Sequence, residues 1–354
     1  MNSHFLNSDI QEITNNLDNE YQEFSGKRIL ITGGNGFLGR YFLAVFQRLN
    51  SEFLSKPCSI TVMDNLIVPS SKGFDQFDDP NIKFTNHDVI KEIDWDGNLD
   101  IIVHAAGIAS PYYYRAYPME TLKVSTVGCT NMLELARHHQ ARFIFFSSSE
   151  IYGDPDPKHV PTPESYRGNV SSMGPRACYD ESKRLGETLC YIYHTQFGLN
   201  TNVIRPFNIY GPGMSPSDYR VIPNFGASIK LNEPLRVYGN GKQTRTYCYI
   251  SDALTGFLKT IIQGVPGEPY NIGNNKPEVS VLELVQVIEK VLECKVKFDI
   301  VEHPDSYPSD EPMRRCPDIY KAKLQLDYQP NINLEEGLSR FLSWSEQHYP
   351  SSKA

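Results

Sequence analysis

Short runs of β-branched and aromatic residues recur along this chain between longer stretches whose apolar side chains return every three or four positions, a pattern that predicts strands alternating with helices. Lys27-Arg28-Ile29-Leu30-Ile31-Thr32 reads as a buried strand, and Ser59-Ile60-Thr61-Val62-Met63, Leu99 to His104 and Arg142 to Phe146 read the same way. Residues 118–139 and 179–197 carry the helical spacing. Such alternation predicts an α/β fold on a doubly wound parallel sheet, with ligands at the carboxyl ends of its strands. After about residue 206 the pattern loosens into Pro- and Gly-rich segments between short helices, among them Gly211-Pro212-Gly213 and Gly239-Asn240-Gly241, which predicts a smaller C-terminal lobe. Near the start, Ser8-Asp9-Ile10-Gln11 has the form of a capping box, and Ile10, Ile13, Leu17, Tyr21 and Phe24 follow at near-helical spacing. Residues 1–25 are therefore expected to form a short helix docked on the domain surface.

The first strand runs directly into Gly33-Gly34-Asn35-Gly36-Phe37-Leu38-Gly39. Strand, glycine-rich turn and helix in that order make a phosphate cradle: Gly33 serves the tight turn, Gly36 lets a pyrophosphate approach the backbone, and Gly39 lets the helix pack closely on its strand. The second strand ends in Asp64, whose carboxylate accepts hydrogen bonds from an adenosine ribose and repels a 2′-phosphate. NAD is thus expected rather than NADP. These features place a Rossmann-type dinucleotide-binding domain over residues 26–206 and a mainly substrate-binding lobe, interleaved with it, over 207–354.

Composition narrows the class. With 354 residues, 40% of them hydrophobic and 21% charged, the chain can bury a large core, and its formal charge of −8 offers no general attraction to nucleic acid. The seven cysteines are scattered, without a Cys-x-x-Cys pair, which fits free thiols in a reducing compartment and calls for no metal. No stretch of 18 consecutive apolar residues occurs, and the first 25 lack an apolar signal core, so neither a membrane span nor secretion is expected and the cytoplasm is the default.

Candidate chemistry lies in two segments. Cys178-Tyr179-Asp180-Glu181-Ser182-Lys183 puts a phenol and an ammonium one helical turn apart, and Ser147-Ser148-Ser149-Glu150 follows the strand that ends at Phe146. Tyr179 can take a proton from a sugar hydroxyl if Lys183 lowers its pKa electrostatically, while Ser148 orients the same oxygen. In this nucleotide-binding context the set points to a redox site.

These segments resemble the extended short-chain dehydrogenase/reductase family of NAD-dependent nucleotide-sugar epimerases, dehydratases and decarboxylases, from about residue 27 to 345. Gly174-Pro175-Arg176-Ala177-Cys178-Tyr179-Asp180-Glu181-Ser182-Lys183-Arg184 is most similar to the family's UDP-glucuronate decarboxylase branch. So are Asn86-His87-Asp88-Val89, Ser149-Glu150-Ile151-Tyr152-Gly153-Asp154-Pro155 and Gln243-Thr244-Arg245. The resemblance implies that Tyr179 is the base for oxidation at sugar C4, that Lys183 tunes it and holds the nicotinamide ribose, and that Ser148 bonds the reacting oxygen. It sets Glu150 beside the sugar ring and Arg245 near the reacting end. NAD contacts are implied for Gly33, Gly36, Phe37, Leu38, Gly39, Asp64, Asn65, Asp88, Val89 and Ala105, with Asp88 meeting adenine or capping a turn. Substrate contacts are implied for Tyr114, Ser149, Asn208, Arg220 and Arg315, the last three toward the nucleotide diphosphate or its ribose. Arg176 meets a substrate anion or is structural.

One stretch departs from the branch. Where its members carry an Ala-Ser-Pro run, this chain has Ala105-Ala106-Gly107-Ile108-Ala109-Ser110-Pro111, and the Tyr-rich loop Tyr112-Tyr113-Tyr114-Arg115-Ala116-Tyr117-Pro118 is only partly kept. Arg115 then pairs with a uronate carboxylate or is the exposed end of a packed aromatic loop. Three readings follow: a UDP-glucuronate decarboxylase, a 4,6-dehydratase or 4-epimerase that shares the first oxidation, and a non-catalytic dinucleotide sensor on the same fold. The resemblance also implies a homodimer pairing helices 118–139 and 179–197 across a two-fold axis.

Overall fold

The computed structural model describes residues 5–68, 77, 79–302 and 312–352. Six strands follow one another in the first two-thirds of the chain: β1 (Arg28–Thr32), β2 (Ser59–Asp64), β3 (Ile82–Asn86), β4 (Ile101–His104), β5 (Arg142–Phe146) and β6 (Thr201–Pro206). Together with Pro269–Ile272 they form a seven-stranded sheet in the order Pro269–Ile272, β6, β5, β4, β1, β2, β3, and every pairing is parallel. The order reverses between β1 and β4. At such a switch point the two crossover connections leave to opposite sides, and a crevice opens beyond the strand ends.

Central strands β1, β4 and β5 are buried almost throughout, as their unbroken apolar runs require of strands covered on both faces. Three strands had no clear signal: β3 reads Ile-Lys-Phe-Thr-Asn at the sheet edge, β6 reads Thr-Asn-Val-Ile-Arg-Pro, and Pro269–Ile272 comes from the far segment of the chain. The last makes the two segments physically interleaved. The helices after residue 206 are also longer than expected, with Ile250–Gln263 and Leu334–His348 running 14 and 15 residues.

Helix 118–139 forms, but with a wide π turn over Val124–Gly128 between Pro118–Lys123 and Cys129–His139. The turn presents the Val124 carbonyl to His104 Nε2 at 3.1 Å, while Thr32 Oγ1 lies 2.8 Å from His104 Nδ1 and accepts from the Ala106 N–H at 3.2 Å. Nε2 facing a carbonyl must be the N–H, so Nδ1 accepts from the Thr32 hydroxyl. Burial, with Lys183 nearby, pushes the ring down to about 3, and it is neutral. This relay ties the ends of β1 and β4 at the crevice floor. The aromatic stretch expected as a loop is instead a helical turn, Pro111–Ala116, started by its proline.

At the N-terminus, helix α1 (Asn7–Asn16) buries Ile10 and Ile13, and Leu17 and Phe24 follow them into the core. The capping box does not form. Leu6 stands at the N-cap, no side chain caps the helix, and Asp9 turns fully inward to meet the hydroxyls of Tyr41 and Tyr249 and the guanidinium of Arg340. Burial in the core outweighs a local cap here because the pairing satisfies the carboxylate on both oxygens.

Candidate active site

The glycine-rich turn caps α2 (Phe37–Arg48), with Gly36 at the N-cap. Gly33 has φ +75°, and a Cβ there would meet the Ala106 backbone at 2.7 Å; one at Gly39 would meet the Gly34 Cα at 2.5 Å. At Gly36 a Cβ meets only the Gly33 carbonyl, at 3.3 Å, and its cleft side is open. Two of these glycines are therefore required by the protein's own packing, and the third leaves room for a ligand at a helix N-terminus. Arg40, which the sequence did not single out, is buried behind the turn and donates to the Asn35 carbonyl at 3.0 Å and to Asn35 Oδ1 at 2.6 Å, fixing the loop from beneath.

A cleft of about 310 Å³ opens over this turn. The glycine loop, Asp64, Asn65, Asp88, Val89 and Ala105 line one wall, and Ser215, Ser217, Asp218 and Arg220 come from the second lobe. Asp64 accepts from the Asn35 N–H and the Leu66 N–H, each at 2.9 Å, which leaves carboxylate lone pairs directed elsewhere. Asn65 donates to Asp88 at 3.2 Å, and Asp88 also caps the Ile90 N–H. His87 Nε2 and Ser110 Oγ, from two residues lining the cleft, are buried with no hydrogen-bond partner among the described residues. An open phosphate cradle, a carboxylate at the end of β2 and unsatisfied polar atoms are the features an adenine dinucleotide fills.

Deeper in, at the carboxyl ends of β5 and β6, the catalytic candidates converge. Tyr179, on helix Ala177–Phe197, is buried and stacks on Tyr114 with ring centroids 5.5 Å apart. Burial pushes its phenol up to about 12, against the Ser148 hydroxyl and Arg220, with Glu150 and Asp180 adding to the rise. Lys183 donates to the Phe146 carbonyl at 2.8 Å, and its ammonium lies 5.8 Å from the Tyr179 ring centroid. Burial lowers that ammonium to about 8. Burial is the largest influence on both groups, raising the phenol and lowering the ammonium.

Ser148 caps the short 3₁₀ turn Ser149–Tyr152 by accepting from the Glu150 N–H. Glu150 is clamped by two arginines: Arg176 donates to Oε2, Arg315 Nη2 donates to Oε2 at 2.6 Å, and Arg315 Nη1 donates to Oε1. Arg315, expected to face the nucleotide, meets Glu150. Ser149 is buried in the turn. Arg245 is the register partner of Arg315 in a parallel pair and donates to the Pro312 carbonyl at 2.7 Å, so it braces the strand that carries Arg315. Arg220 forks onto Asp218, Asn208 donates to the Thr246 carbonyl at 2.8 Å, and Arg115 donates back to the Pro111 carbonyl at 2.8 Å. Beneath the cluster, Arg205 ties Glu187 to the Tyr152 hydroxyl, a buried support that no motif announced.

The model of the NAD dependent epimerase/dehydratase family matches residues 29–273, and the chain belongs to that family. Its cofactor is NAD. UDP-glucuronic acid decarboxylase 1 of Danio rerio is 38% identical over 338 residues, spanning 93% of this chain and 77% of that protein. UDP-glucuronic acid decarboxylase 6 of Arabidopsis thaliana is 38% identical over 316 residues, 89% of this chain and 87% of that protein. Among solved structures, an epimerase of Methanothermobacter thermautotrophicus superposes with a TM-score of 0.78 at 26% identity, covering 95% of this chain and 97% of that one. A dTDP-glucose 4,6-dehydratase of Streptomyces venezuelae, solved with NAD bound, shares the fold with a TM-score of 0.76 at 24% identity over 91% of this chain and 97% of that one.

Proposed function

We propose that this protein decarboxylates UDP-glucuronate. The observation that carries the reading is the convergence of Tyr179, Lys183 and the twice-clamped Glu150 beside a dinucleotide cleft. Identity near 38% to UDP-glucuronic acid decarboxylases across most of the chain supports it.

Bound NAD supplies the hydride acceptor for sugar C4 and returns the hydride when the sugar is reduced again. Tyr179 takes the C4 hydroxyl proton, with the Lys183 ammonium favouring the phenolate against the burial that disfavours it. Once C4 is a ketone the uronate carboxylate stands β to it, so loss of CO2 leaves an enolate rather than an unstabilised carbanion. Tyr179 and Ser148 donate to the enolate oxygen as its charge develops. Glu150 serves the C5 side, where a proton must be added before C4 is reduced, and Arg245 braces the strand whose Arg315 holds Glu150.

The protein is further read as a cytoplasmic homodimer. Helices 118–139 and 177–197 leave Met119, Val127, Leu185 and Tyr191 exposed, an apolar surface suited to a second copy.

The test is to incubate purified protein with UDP-glucuronate, without added cofactor, and to follow released CO2 and the mass of the nucleotide sugar. UDP-pentose with CO2 is the expected outcome. Unchanged substrate, even with NAD added, moves the assignment to a dehydratase or epimerase acting on another nucleotide sugar. A Tyr179→Phe variant that loses nothing points to a non-catalytic sensor.

A further inference from the structure

Asp180 is the residue this mechanism does not use. It follows Tyr179 in sequence, lies in the first turn of helix Ala177–Phe197 and is 5% exposed. Its Oδ2 sits 3.5 Å from Arg176 Nε, one helical turn back, at the outer limit of a hydrogen bond. Its Oδ1 is buried with no hydrogen-bond partner among the described residues. Glu150, by contrast, draws donors from both Arg176 and Arg315. Among the described residues two carboxyl groups share this guanidinium, and Glu150 holds the better part of it.

We propose that Asp180 is a positioning residue for Glu150: by sharing Arg176 with it, Asp180 sets how firmly Glu150 is held at the substrate. This rests on the reading of Glu150 as the carboxylate beside the sugar. An ionised carboxylate with one oxygen dry and unpaired is costly, which favours the neutral form of Asp180 in this arrangement. Burial first, and then the charge of Glu150, push its carboxyl well above the ordinary range, against the pull of Arg176 and Arg315. Once ionised, Asp180 needs donors, and the nearest is the Arg176 fork. Turning that fork toward Asp180 takes it from Glu150 and leaves Glu150 on Arg315 alone. The groups that decide the balance are Glu150 on the 3₁₀ turn, Arg315 on its strand, and Arg176 and Tyr179, which both precede Asp180 in the chain.

The experiment compares pH profiles of the NAD-loaded wild type and Asp180→Asn from about pH 6 to about pH 9, a range that spans the shifted carboxyl. The wild-type kcat is expected to fall above neutrality by about fivefold, the scale of one weakened charge-assisted hydrogen bond, with KM moving less. Asp180→Asn, locked neutral, is expected to hold its low-pH rate across the range. A variant whose profile follows the wild type overturns the proposal, as does a change in KM alone. A second measurement needs neither variant nor turnover: wild-type crystals at the two ends of the range, with Arg176 expected on Glu150 at low pH and turned toward Asp180 at high pH. An unmoved guanidinium overturns it. Turnover is followed both as reduced-cofactor absorbance and as CO2. Oxidation of a nucleotide sugar without CO2 therefore fails the decarboxylase reading alone and leaves the Asp180 comparison to be read on the oxidation step.

Discussion

Asp9 and Asp180 are both buried carboxyl groups set against arginines, and they are built oppositely. Asp9, under the N-terminal helix, accepts from Tyr249 at 3.1 and 3.0 Å, from Tyr41 at 3.3 Å and from Arg340 at 3.2 Å, so both oxygens are satisfied. Asp180, beside the catalytic tyrosine, has one long contact and one bare oxygen. The first group joins α1, α2, the Ile250–Gln263 helix start and the C-terminal helix into one piece. The second leaves a neighbour's allegiance undecided. Saturated networks fix a fold, whereas starved ones leave a degree of freedom, and such freedom has use only where chemistry happens.

The largest effect that separates the two clusters is expected from Glu150→Gln, which should lower kcat by about 10²–10³, the scale of losing a positioned acid–base group, while NAD still copurifies with the protein. Arg340→Ala should do the reverse. It removes the guanidinium shared by Asp9 and Glu12, the latter held at 2.7 Å, and leaves a buried carboxyl short of a partner. A loss of about 3 kcal/mol in denaturant unfolding is expected, with kcat of the folded fraction kept. Equal damage to kcat in the two variants would erase the distinction.

Asp9 also has a pH signature of known sign. Burial raises its carboxyl from 3.8 to about 6 in the folded protein, so between those values the folded state binds the extra proton. Its favourable contribution is complete below 3.8 and is lost as pH rises through about 6, a change of roughly 3 kcal/mol. Asp9→Asn cannot titrate. Its deficit against the wild type should therefore shrink as pH rises through that window, and denaturation curves at the two ends would show a constant deficit if Asp9 titrated normally.

How much of this was legible in the chain follows from how far apart the parts lie. The cradle from Lys27 to Gly39, Asp64 at the end of β2, and the Tyr179–Lys183 pair are local patterns in which each residue type has its own physical reason. The arginine clamp on Glu150 joins residues 165 apart, and Arg340 reaches Asp9 across 331 positions. No periodicity encodes such pairs. The misread capping box shows the conflict directly, since Ser8-Asp9-Ile10-Gln11 fits a local rule that the distant tyrosines and arginine override. Arg40 was hidden for a related reason: a charged residue in an apolar helix is ordinarily read as surface, and only the folded turn reveals the Asn35 carbonyl it serves.

The smallest expected effect tests whether burial or mere proximity underlies the comparison. Lys290 and Glu335 approach to 2.7 Å, the same separation as Arg340 and Glu12, but their side chains are 68% and 50% exposed against 21% and 32%. If distance alone set the energy, the two pairs would be equivalent. Water screens the exposed pair and both long side chains must be ordered to hold it, so Lys290→Ala should cost no more than about 0.5 kcal/mol. Unfolding midpoints of Lys290→Ala and Arg340→Ala, taken under one set of conditions, decide the matter. A loss at Lys290 approaching that at Arg340 would mean that the Asp9 cluster owes its strength to ordinary ion pairing and not to the buried carboxylate, saturated on both oxygens, that distinguishes it from Asp180.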